Sequence, residues 1–90
     1  MNATQRPVPT LGVRAGLVRG SAVLVVGRSA FQISAVGAEI WKRCDGTNSA
    51  EEIATQIASH YGISADVART DVTEFLDSLA TRSLIEYADD

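Results

Sequence analysis

The sequence predicts an α+β domain, a small antiparallel sheet followed by a cluster of helices. Three observations carry this prediction. An apolar, β-branched run, Ala22-Val23-Leu24-Val25-Val26, lies among glycine-marked turns in the first third of the chain. After Ser34 the apolar spacing switches from two to three and four. Serine caps and a glycine stop then divide the remainder into helices. Strands grouped first and helices grouped after them give an α+β order, with the sheet on one side of the helices.

Residues 1–11 are polar, contain Pro7 and Pro9, and read as a flexible N-terminal arm or the lead into a first strand. Val13 to Val18 alternates loosely and is interrupted by Gly16, as a short edge strand is. Gly20-Ser21 turns the chain. Ala22 to Val26 is apolar at every position, which suits a central strand. Gly27-Arg28 is a hairpin turn. Ala30 to Ser34 then alternates, with Phe31 and Ile33 on one face and Gln32 and Ser34 on the other.

Ala35 to Cys44 follows helical spacing through Val36, Ile40 and Trp41, with Ser34 as N-cap and Asp45-Gly46 as its end. Ser49 caps a second helix, and Glu52 three residues on completes a capping box. Ile53, Ile57 and Tyr61 form its apolar face, and Gly62 closes it. A third helix starts after Ser64. Ala68, Val72, Phe75 and Leu79 make a continuous seam, which Leu76 widens to one side. Leu84 to Tyr87 packs back as a final extended piece. The domain thus spans residues 12–87, with a tail at 88–90. The order also describes a winged-helix-like architecture with the wing strands placed first.

Composition excludes several function classes. The chain has 90 residues, 46% hydrophobic and 21% charged, enough for one small domain. The apolar run at 22–26 is too short to span a bilayer, and no signal core marks export, so a cytoplasmic protein without a membrane role is expected. One cysteine and one histidine exclude a disulfide framework and a multi-histidine or cysteine-rich metal site, and no cofactor motif is present. Cys44 reads as a buried small hydrophobe, and His60 as a complement to a helix C-terminus. Trp41, among Ile40 and Cys44, reads as core. The expectation is therefore no enzyme activity.

Charge is divided along the chain. Residues 1–44 balance to +5, with Glu39 as their one carboxylate, and residues 45–90 balance to −8. Such a split attracts nucleic acid or a charged partner, or holds the halves together. A winged-helix nucleic-acid binder would need a basic third helix, yet Asp66, Asp71, Glu74 and Asp77 outnumber Arg69 and Arg82 there. Nucleic acid is accordingly the weaker reading. A structural or dimerising module using an open sheet edge is a third. The stronger one is peptide binding by strand addition to Ala30, Phe31, Gln32, Ile33 and Ser34. On this reading Ala65, Arg69, Val72, Thr73 and Leu76 of the third helix form the groove wall. A peptide of mixed charge, read by Arg28 on one side and by Asp66, Asp77 and Arg69 on the other, accounts for both halves of the charge split.

The residues also resemble a known family. Phe31-Gln32-Ile33-Ser34, Val36-Gly37-Ala38-Glu39-Ile40-Trp41, Asp45-Gly46, Glu51-Glu52-Ile53, Tyr61-Gly62, Asp71-Val72, Phe75-Leu76 and Leu84-Ile85 resemble, in order and spacing, the PqqD-like family. The resemblance covers about residues 12–87. It implies a winged-helix-like fold of three strands then three helices. It further implies a precursor-peptide recognition element that binds the leader of a ribosomally made precursor along the third strand and third helix. Such a domain delivers the precursor to a leader protease, a cyclase or a radical SAM enzyme, and works as a monomer or weak homodimer. The Ala68-Arg69-x-Asp71-Val72 and Phe75-Leu76 patterns are similar to stand-alone members of lasso-peptide pathways. Two departures stand out: Ile33-Ser34 where the family often has Leu-Asn, and Ser83 where it often has glycine before Leu-Ile. Serine still caps a helix, but it is less comfortable than glycine in a left-handed exit.

Overall fold

The computed structural model describes residues 4–88. Along the chain run β1 (Arg6–Pro9), β2 (Arg14–Val18), β3 (Ser21–Val26), β4 (Ser29–Gln32), α1 (Ala35–Lys42), α2 (Ala50–Tyr61), α3 (Ala65–Thr81) and β5 (Ile85–Ala88). The predicted meander is present as an antiparallel sheet in the order β2-β3-β4. β3 is central, as its unbroken apolar run requires. The β2–β3 turn has positive φ at both central residues, Arg19 (52°) and Gly20 (82°). That is the geometry of the tight turn that matches the twist of paired strands.

The first residues differ from the expected arm. β1 pairs antiparallel with β5, Arg6 opposite Ala88 and Pro9 opposite Ile85. Pro7 is among the most deeply buried side chains, and its carbonyl accepts from the Gly46 N–H at 3.1 Å. Proline is tolerated in this two-stranded ladder because only one side of the strand is paired. The strand was hidden in the sequence because its partner lies at the other end of the chain. Residues 1–3 and the last two residues of the expected tail, Asp89 and Asp90, lie outside the described residues.

The helices start where their caps place them. Ser34 accepts from the Gly37 N–H at 3.0 Å, and Ser64 from the Val67 N–H at 3.2 Å. Ser49 accepts from the Glu52 N–H at 3.1 Å while Glu52 accepts from the Ser49 N–H at 2.8 Å, a complete capping box. Gly62 closes α2 in the left-handed region. α1 ends earlier than expected, with Arg43 as C-cap, so Gly46 belongs to the following turn. α3 exits through Arg82, Ser83 and Leu84. The Ser83 N–H donates to Ala80 and the Leu84 N–H to Leu79, with Ser83 at φ 59°. This is a Schellman exit with serine in the glycine position.

Leu24, Ile40, Ile53, Ile57, Val72, Leu76 and Leu84 form the fully buried centre. Leu24 is the one residue of the three-stranded sheet in that centre; Val26 and Phe31 pack against it from the rim. The sheet is thus a wing anchored at its middle, with β2 exposed throughout.

A candidate peptide-binding groove beside the edge strand

β4 forms the rim of the wing. The Ile33 N–H donates to the Ala22 carbonyl at 2.9 Å, and Leu24 lies opposite Phe31. In an antiparallel pair the hydrogen-bonding residues alternate. The backbones of Phe31 and Ile33 therefore face β3, and those of Ala30 and Gln32 face away from it. Among the described residues β4 pairs with β3 alone. Ala30 and Gln32 offer one N–H and one C=O each to a further strand.

A groove of about 430 Å³ runs beside this edge. One wall is Ala30 to Ser34. The other is Phe75, Ser78, Leu79 and Arg82 of α3, with Leu84 just beyond the helix. The Arg82 guanidinium lies over the Phe31 ring, its Cζ 5.6 Å from the centroid, and donates to Ser78 Oγ at 2.5 Å. These contacts hold the cation at the groove mouth. A second hollow continues past Ser34, between Val36, Gly37 and Ile40 of α1 and Asp71, Glu74 and Phe75 of α3. Phe75 lines both. Its ring fits because residue 37 has no side chain: a Cβ there would stand 2.7 Å from Phe75 Cε1.

The structure sorts the sequence-derived site residues into two groups. Ala30, Phe31, Gln32, Ile33 and Ser34 line the groove together, and Arg28 lies exposed in the turn leading into β4. The expected helix positions do not join them. Val72 and Leu76 are 1% and 0% exposed, inside the core. Arg69 donates to Glu51 of α2 at 3.2 Å and to Asp66 at 3.0 Å, so it is engaged away from β4. Ala65 and Thr73 line neither hollow. The groove is walled by a different flank of α3. Phe75, Leu79 and Arg82, at i, i+4 and i+7, are the groove face, and Ser78 sits between them. In the sequence, Phe75 and Leu79 belong to the apolar seam and Arg82 to the end of the helix. No local pattern in the sequence marks this flank; β4 and α3 run in opposite directions, so the end of α3 and not its start lies beside Phe31.

Among the described residues no group of His, Cys, Asp or Glu could hold a metal ion. Burial pushes the Cys44 thiol up to about 12, and its Sγ–H donates to the Ile40 carbonyl at 3.3 Å, so it remains a neutral thiol. Lys42 and Arg43 both donate to Glu39, which holds that carboxyl below its usual range. His60 lies in the last turn of α2 with Nε2 3.9 Å from Glu39. No described helix is long and apolar enough to cross a membrane.

The profile of coenzyme PQQ synthesis protein D, PqqD, matches residues 21–85. The chain belongs to the PqqD family. Two solved structures share its PqqD fold. TbiB1 in complex with the TbiA(beta) leader peptide is 28% identical, with a TM-score of 0.76 over 91% of this chain and 99% of that one. The solution structure of the PqqD truncation of Methylobacterium extorquens PqqCD is 24% identical, with a TM-score of 0.77 over 89% of this chain and 87% of that one. That truncation represents a functional, stand-alone recognition element for ribosomally synthesised and post-translationally modified peptides. No curated protein sequence matches this PqqD-family chain significantly. The α+β order, a three-stranded antiparallel sheet followed by three helices, is the PqqD fold.

Proposed function

We propose that this PqqD-family chain is a non-catalytic recognition domain for the leader of a ribosomally made precursor peptide. The leader adds as a strand to β4 and lays alternate side chains into the groove against α3. The single observation that carries this reading is the open edge at Ala30 and Gln32 beside that groove. Backbone hydrogen bonds then supply affinity and the groove supplies selection. The structural likeness to TbiB1, solved with a leader peptide, supports it. The binding residues on this reading are Arg28, Ala30 to Ser34, Phe75, Ser78, Leu79 and Arg82. The bound precursor is passed to a maturation enzyme in the cytoplasm, with lasso-peptide formation as the pathway class.

The test is a titration of the chain with the leader of a precursor encoded beside its gene. Gln32→Pro removes an outward N–H and no ladder bond. It is expected to weaken binding at least about ten-fold, the loss of roughly one backbone hydrogen bond in a desolvated edge, with little change in thermal unfolding. Unchanged binding in that variant overturns strand addition at β4.

A further inference from the structure

We propose that the groove reads opposite charges at its two ends, so that its occupant is a strand with the pattern acid–x–apolar–x–base. This rests on the strand-addition reading above and adds what that reading leaves open, the chemistry of the recognised segment.

β4 and α3 run in opposite directions. Phe31 lies under Arg82, whereas Ser34 shares its hollow with Asp71, Glu74 and Phe75. One end of the groove is therefore basic and the other acidic. Several charges outside the groove are matched: Lys42 and Arg43 with Glu39, Arg69 with Glu51 and Asp66. Among the described residues no such partner pairs with Arg82, Asp71 or Glu74. Arg82 is fixed by Ser78 and the Phe31 ring with the rest of its guanidinium free to take a carboxylate. Between the charged ends, the half-buried Phe31 and Phe75 offer apolar surface over a floor of buried Leu79 and Leu84.

Helix geometry sets the spacing. Asp71 and Glu74 precede Arg82 by eleven and eight residues, which at about 1.5 Å per residue is roughly 12–17 Å along the axis. An extended strand covers that in about four or five residues at roughly 3.3 Å each. Only an even number keeps both side chains on the face turned to the groove, so the acid and base stand four apart. The residue midway, two from each, faces the apolar centre.

The probe is a library of random 12-residue peptides selected by display on the full chain at low salt. Peptides carrying acid, apolar and base at i, i+2 and i+4, in either chain direction, are expected to be enriched. In a selected peptide, changing the acid to its amide should weaken binding roughly five-fold, the effect of a partly exposed ion pair. Arg82→Glu should reverse the preference at that position, and Arg82→Gln should abolish it. Asp71→Lys together with Glu74→Lys provides the same reversal at the far end, independently of the helix exit that Arg82 caps. Selected peptides that lose affinity on Gln32→Pro but ignore these exchanges overturn charge reading and leave strand addition standing. If no selected peptide responds to Gln32→Pro, strand addition fails and charge reading fails with it.

Discussion

Three side chains show how single positions carry structural cost or function. Ser83 occupies a left-handed position at φ 59°, where a Cβ is disfavoured. Ser83→Gly is expected to stabilise the domain by about 1 kcal/mol and to raise the melting temperature by roughly 4–8 °C, read by thermal unfolding. Gly37 is the reverse case. Gly37→Ala places a methyl group against Phe75 at 2.7 Å. The ring must leave its seat between the two hollows, at a cost of about 1–3 kcal/mol. Peptide binding should fall by more than the stability loss explains, as titration of the still-folded variant would show. Cys44 carries a pH dependence. Its thiol ionises at an ordinary value of 9.0 when exposed and at about 12 when folded. The folded state holds the proton longer, so this contribution is complete below pH 9 and is lost as pH rises towards 12. Denaturant unfolding should show a falling midpoint across that window, and Cys44→Ala should flatten the fall.

At the scale of the elements, the helices were legible because their signals are local. Ser34, Ser49 and Ser64 each sit one residue before the helix they cap, and Gly62 one residue after. The hairpin strands were legible for the same reason. The pairing of β1 with β5 was not, since nothing local to Arg6–Pro9 names Ile85–Ala88 as its partner. The groove was half legible. Alternation in Ala30 to Ser34 marked the edge strand, but which face of α3 meets it depends on the angle at which the helix crosses the sheet. An apolar seam identifies the buried face and leaves two flanks. The flank with Arg69 is taken by α2, through Glu51, and the flank with Ser78 and Arg82 is left beside β4. The alternation makes an independent prediction in hydrogen exchange. The amide of Ile33, bonded to Ala22, should exchange slowly in the free chain and that of Gln32 quickly. Addition of a bound strand should slow Gln32 and leave Ile33 unchanged.

For the whole molecule, the charge division that first suggested nucleic acid resolves into pairs and remainders. The pairs, Arg69 with Glu51 across the two long helices and Arg43 with Glu39 at the end of α1, each lie within one half of the chain and leave the division between the halves in place. What remains unmatched includes both ends of the groove. The wing adds little to the buried centre beyond Leu24, so the helices with β1 and β5 form the stable body. Removing residues 1–9 should therefore cost more than trimming an arm would. Loss of buried Pro7 and of its bond from Gly46 predicts destabilisation by about 2 kcal/mol or more, measurable by urea unfolding.

The β1–β5 ladder has a consequence for architecture. With Arg6 opposite Ala88, the polypeptide enters and leaves the domain through one doorway. A domain wired in this way can be carried in a loop of a larger protein, or attached at either end, with its groove at the same distance from the host. A circular permutant that joins the two ends and opens the chain at Arg19-Gly20 should fold and keep its edge strand.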